Sequence, residues 1–169
     1  SNTSGLLVAA IIIIPSFAIE RTQELAYYFH ILVEQRKIPE IPIYVDSPMA
    51  TNATSIFQVH PECYDEETHK AFLTHHKNPF GFNSLRFTQS VEESKHLNEL
   101  EGPMIIISAD GMCEAGRIVH HLYNNIEDPN TTILLVGFMA ENTLGRRLQN
   151  GEEEVKVIGE WKKVRAKIE

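Results

Sequence analysis

A chain of 169 residues, 43% hydrophobic and 22% charged, can build one domain with a proper core, burying about 70% of the surface its unfolded form exposes. Its two cysteines make neither a CxxC pair nor a zinc-ribbon spacing, which argues against a disulfide scaffold and for a reducing, cytoplasmic compartment. The net charge of −8 excludes long-range attraction of nucleic acid by the whole surface and leaves local basic patches to hold any polyanion.

The chain opens Ser1-Asn2 without an initiator Met, as though a tag had been removed. The apolar run from Leu6 to Ile14 is far shorter than the roughly 20 residues of a membrane span and lacks the basic flank of a signal peptide. It predicts a buried strand, Val8 to Ile14, and no membrane partner. A helix follows from about Ala18 to Arg36, where Leu25, Tyr28, Phe29 and Leu32 recur at three- and four-residue steps. Pro39 and Pro42 break the chain before a strand at Ile43 to Val45. Pro48 suits the first turn of a helix reaching Val59, and after His60-Pro61 a further helix spans Glu62 to His75.

Lys77 to Ser84 reads as a loop and Leu85 to Thr88 as a short strand. Ser90 with Glu93 forms a capping box for a helix ending near Leu100. Gly102-Pro103 introduces the strand Met104 to Ser108, then come a helix at Ala115 to Tyr123, a strand at Thr131 to Val136 and a short helix at Leu144 to Gln149. Val155 to Ile158 and Val164 to Ile168 complete the predicted strands, the last alternating apolar and charged up to Glu169, as in a piece of a longer protein. Strand and helix alternate through most of the chain. This predicts a three-layer α/β fold, a mainly parallel sheet with helices on both faces, as a single domain over residues 1–169.

Five turns then share one edge of that sheet, the carboxyl edge where such folds place their ligands: Pro15–Ala18, Asp46–Ala50, Thr88–Ser90, Ser108–Cys113 and Gly137–Asn142. Their chemistry is not that of a common cofactor site. The chain has no G-x-G-x-x-G after a strand, no G-x-x-x-x-G-K-[ST] and no G-x-S-x-G nucleophile elbow. Of the eight histidines, His75-His76 and His120-His121 are adjacent pairs that point in two directions on a helix. They read as surface residues, with one of His120 and His121 turned partly inward, and no metal site is expected from this chain alone.

In Ser108–Arg117 a sharp turn at Gly111, exposed N–H groups and Arg117 one turn into the next helix could receive an anion; a helix cap with a solvated arginine is the equal alternative. Gly137–Arg147 holds Asn142, Thr143, Gly145 and the Arg146-Arg147 pair, and is either a second such loop or a solvated helix end. Asp46 before Ser47-Pro48 reads as a cap rather than a catalytic group, and Arg21 with Gln23 and Glu24 as a salt-bridged helix start or part of a site. Cys113 reads as a packing residue.

Together, Ile14–Leu25, Tyr44–Ala50, Ser108–Arg117 and Gly137–Arg147 resemble, in the right order and over nearly the whole chain, the β-CASP domain of metallo-β-lactamase-fold nucleases, relatives of the cleavage and polyadenylation endonuclease and ribonuclease J. In that family the domain is inserted in a metallo-β-lactamase domain as a lid over a two-zinc centre, so that single-stranded RNA, or in some branches DNA, enters the cleft. The resemblance implies that this chain is the substrate-cleft domain of a zinc-dependent RNA nuclease. Its cleft-edge turns and arginines would position phosphates, with Arg21, Ser47, Arg117, Asn142 and Arg146 facing the strand. It implies no catalytic residue, no metal ligand and no cofactor in this chain. The two zinc ions would belong to a metallo-β-lactamase domain whose His-x-His-x-Asp-His motif is absent here, and Asp46 is neither a zinc ligand nor the family's acidic motif. Alone, the chain should hydrolyse nothing, and it should expose an apolar face through which it self-associates. The alternative is a non-catalytic module that binds a nucleotide, a nucleic acid or a protein.

Overall fold

The β-branched runs form strands because they bury both faces of a pleated surface, and in the computed structural model, which describes residues 10–60, 62 and 80–169, they pair as one parallel sheet. The elements are β1 (Ile11–Pro15), α1 (Arg21–Glu34), β2 (Ile43–Asp46), α2 (Pro48–Val59), β3 (Leu85–Thr88), α3 (Val91–Leu97), β4 (Met104–Ser108), α4 (Ile118–Asn125), β5 (Thr132–Ile133), α5 (Leu144–Gln149), β6 (Glu154–Val157), β7 (Glu160–Lys163) and β8 (Lys167–Ile168). Six strands lie in the order β3-β2-β4-β1-β5-β8, every neighbouring pair parallel. Strand residues alternate between two apolar layers. Ile14, Val45 and Ile107 pack on the side of Ala26 in α1 and Ala50 in α2. Ile13 faces α4 and α5 through Ile118, Leu122 and Leu148, while Tyr44 and Ile106 meet Leu97 of α3. The expected three-layer α/β architecture is therefore observed.

Register decides what gathers at the carboxyl edge. Asp46 lies beside Thr88 on one side and Ser108 on the other, and Pro15 lies beside Ser108, so the strands end nearly level. Three of them end on polar residues, Asp46, Thr88 and Ser108, where the turns begin.

Several boundaries move for local reasons. α1 starts at Arg21 rather than Ala18, since Glu20 has a left-handed φ of 71°. α3 ends at Leu97 instead of near Leu100, and α4 begins at Ile118 rather than Ala115, because the preceding loop is tied to the side chain of Asp110. β5 keeps only Thr132–Ile133 of the expected strand to Val136, although Leu134 N still donates to Ile13 O. The stretch from Val155 onward forms an antiparallel β6–β7 hairpin before β8, and β7 is a strand that the sequence did not announce. Its two-residue turn places Ile158 and Gly159 at φ 48° and 83°, and an isoleucine in the left-handed region is not a residue from which such a turn is expected. The start of the first predicted strand, the Glu62 to His75 helix apart from Glu62, and the first part of the Lys77 to Ser84 loop lie outside the described residues. No helix among the described residues is long and apolar enough to cross a membrane.

Candidate functional site

Asp46 closes β2 with a fully buried carboxylate that joins several elements. Its Oδ2 accepts from Ser94 Oγ of α3 at 2.6 Å and lies 2.6 Å from His121 Nε2 of α4. Its Oδ1 accepts from Arg117 Nη1 at 2.7 Å and from the hydroxyl of Thr88 at the end of β3. Ser108 Oγ of β4 donates to the Asp46 carbonyl at 2.9 Å. Burial on its own pushes the carboxyl pKa up, but hydrogen bonds from His121, Ser94 and Thr88 outweigh it and hold the group down at about 2. A charge taken out of water at this depth persists only when so fully paired.

Arg117 completes this hub. Its Nη2 donates to Gln89 O at 2.8 Å, so the guanidinium joins Asp46 to the turn after β3, with 17% of the side chain exposed. His121 is fully buried, and its other ring nitrogen lies 3.1 Å from Asn98 Oδ1. The partner His120 is exposed, as expected of an adjacent pair in which one residue turns inward.

The turn after β4 is organised by a second aspartate. The Asp110 carboxylate accepts from the backbone N–H groups of Met112, Glu114 and Ala115, the donors that looked free to receive an anion. The chain thus supplies its own anion to this loop. Sharp turning falls not on Gly111 but on Cys113 at φ 66° and Gly116 at φ 75°. Gly116 is obligatory because a Cβ there would meet Ala109 O at 2.5 Å. Gly111 instead leaves room for Phe17, whose Cδ2 and Cε2 would lie 3.3 Å from a Cβ. Cys113 is buried, and burial, with Asp110 and Glu114 adding to it, pushes its thiol up to about 12, so it packs rather than reacts.

The remaining turns are fastened to these two. Gly145 N donates to Met112 O at 3.0 Å, and Leu144 N donates to the Glu114 carboxylate, joining the turns after β4 and β5. Ser16 N donates to Ser108 O at 3.0 Å, and the buried Gln23 amide bridges Ala18 O and Thr54 Oγ1 at 3.1 and 2.9 Å. Thr22, whose Oγ1 donates to Phe17 O at 2.6 Å, and Ser94 are fasteners that no short motif announces.

The five residues proposed from the sequence separate into two kinds. Ser47 is the N-cap of α2, its Oγ accepting from Ala50 N at 3.2 Å with Pro48 following, and it is buried; Arg117 turns inward to Asp46. Arg21 is exposed and pairs with Glu24 at 2.5 Å within its own helix. Asn142 is exposed at φ 67°, and Arg146 lies 5.7 Å from the Phe138 ring centroid. The structure therefore groups Ser47 with Arg117 around Asp46, groups Asn142 with Arg146 on the turn after β5, and leaves Arg21 at the head of α1.

Asp46 and His121 are an acid–base pair by type, but both are buried and spent on each other. Among the described residues no three His, Cys, Asp or Glu side chains form a metal site, so these residues do not fit the two zinc ions that the resemblance implies.

Comparison with known proteins places the sequence in a family. The Beta-Casp domain model matches residues 22–148. Ribonuclease TTHA0252 of Thermus thermophilus is 35% identical over 157 residues, 93% of this chain and 36% of that protein. The transcription termination factor FttA of Methanosarcina mazei is 32% identical over 88% of this chain and 23% of its own length. An RNase J-like protein of Methanocaldococcus jannaschii is 30% identical over 93% of this chain and 35% of that protein. The chain thus spans only about a quarter to a third of the length of these relatives.

Proposed function

We propose, from the premise that this chain belongs to the Beta-Casp domain family, that its carboxyl edge is one wall of a cleft that holds single-stranded RNA for cleavage. The observation that carries this reading is the convergence of all five strand-to-helix turns on one edge of a parallel sheet, with Asp46 and Arg117 tying the turns after β2, β3 and β4 and the Gly145–Met112 bond joining the turns after β4 and β5. Two relatives of similar sequence bear ribonuclease names, which makes RNA the substrate we assign.

In this reading Arg21, Asn142 and Arg146 meet phosphates directly, because they sit on a turn or in the first turn of the helix that follows one and are not spent inside the hub. Ser47 and Arg117 act one step behind them, fixing the helix start and the Gln89 turn. Phosphate contacts of this kind set position and affinity rather than sequence preference. The chain works as one domain of a longer cytoplasmic protein. Two zinc ions would supply activation of a water nucleophile, held by residues of a metallo-β-lactamase domain and by none of those described here. The chain's own part is to bind the strand and hold its phosphates in register.

The test is affinity for a short single-stranded RNA as a function of salt. An Arg21→Ala, Arg146→Ala double variant should bind more weakly across all sequences. Its log–log salt slope should be shallower by about 0.7 for each phosphate no longer neutralised. An unchanged slope with unchanged affinity would overturn the assignment of these arginines. Cutting of labelled RNA by this chain with added zinc would overturn the division of labour.

A further inference from the structure

Two aromatic rings on the carboxyl edge are exposed beside buried chain neighbours. In the turn after β1 the chain buries Ser16 and leaves Phe17 48% exposed; in the turn after β5 it buries Met139 and leaves Phe138 71% exposed. Burying a phenylalanine side chain stabilises a fold by roughly 1.5–3 kcal/mol, so two neighbouring reversals of the usual preference want a reason.

The rings are also positioned. Phe17 lies against the backbone of Gly111, where a Cβ would be 3.2 Å from Phe17 N and 3.3 Å from two ring carbons. The next residue, Met112, accepts a hydrogen bond from Gly145 N at 3.0 Å, and a Cβ on Gly145 would collide with Met139 Sδ. Phe17 thus touches one end of a packed, largely buried line through Gly111, Met112, Gly145 and Met139, and Phe138 is the exposed residue next to Met139 at its other end. There the Arg146 guanidinium stands 5.7 Å from the ring centroid, and its buried Nε has no hydrogen-bond partner.

We propose that the two exposed rings flanking this line form a stacking shelf for unpaired nucleobases, with Phe17 and Phe138 each taking one base of a single strand and Arg146 serving a phosphate beside Phe138. The proposal rests on the RNA-binding reading above and adds the subsite that grips bases rather than backbone. An open aromatic face beside a cation matches a base with its phosphate, since every base presents a π-face and every linkage a negative charge. Paired bases keep their faces inside the duplex, so the shelf selects single strands.

The experiment uses this chain and RNA of about ten nucleotides carrying 2-aminopurine, whose fluorescence is quenched on stacking, beside an abasic ribose-phosphate strand of equal length. Wild type should quench the probe and prefer the base-bearing strand. Phe17→Leu and Phe138→Leu keep the apolar bulk and should each bind it about fivefold to a hundredfold more weakly and lose the quenching. Both should bind the abasic strand as wild type does, and Phe138→Trp should keep the quenching. Wild-type affinity and quenching in both leucine variants would overturn the shelf while leaving phosphate positioning standing. Failure of wild type to bind either strand would remove the RNA-binding reading and the shelf together. Sedimentation showing that the leucine variants split a dimer without loss of RNA affinity would overturn the shelf and assign the rings to contact between copies of this chain.

Discussion

Asp46 and Asp110 sit at the ends of neighbouring parallel strands, yet they do opposite kinds of work. Asp46 reaches across the molecule, with side-chain partners 42, 48, 71 and 75 residues away on three other elements and the loop before α4. Asp110 reaches only into its own loop, accepting from backbone N–H groups two, four and five residues on. The first carboxylate holds the layers together from inside, and the second shapes a single turn at the surface. A polar residue at a strand end can therefore belong to the core or to the loop, and only its partners tell which.

The sharpest way to break this comparison is to neutralise each aspartate in turn. Asp46→Asn leaves His121 and Arg117 facing a buried amide and should cost about 3–5 kcal/mol in urea unfolding, the range for losing one partner of a buried ion pair. Asp110→Asn should cost about 1 kcal/mol, the scale of a local hydrogen-bond change. Equal losses would erase the distinction. The Asp110 loop has its own weak point in Gly116, and Gly116→Ala, with its positive φ and a Cβ 2.5 Å from Ala109 O, should cost about 2–3 kcal/mol. Gly151→Ala has a similar φ with open space around it and should cost only about 1 kcal/mol in the same assay, so their difference isolates the clash.

Acid provides a milder probe. Because the folded-state pKa of Asp46 is depressed from 3.8 to about 2, its carboxylate adds stability that is fully present above pH 4 and lost as the pH falls towards 2. That contribution is about 2 kcal/mol, and it should disappear from the pH profile of unfolding in Asp46→Asn.

Much of this architecture is legible in the residues. Strand runs such as Met104–Ser108, the Ser90–Glu93 capping box and Pro48 at a helix start follow local rules, and the structure forms them where those rules indicate. The hub was not legible, because Asp46 next to Ser47-Pro48 has the look of a cap and nothing local says that Ser47 alone fills that role. Its signal lay in register: Asp46, Thr88 and Ser108 are the last polar residues of three strands, and they become neighbours only once the strand order is known. The Asp110 loop misled for the converse reason, since its amides could be seen in the sequence but not that its own aspartate occupies them.

The long reach of Asp46 also has a consequence in time. Closing loops of 42 to 75 residues precedes any interaction that rewards them, so this network cannot exist in a half-built sheet. If it forms only after β3, α3 and α4 have docked, its loss shows mainly as faster unfolding rather than slower refolding. A chain built this way keeps its carboxyl edge in shape by making the last step of assembly the hardest one to reverse.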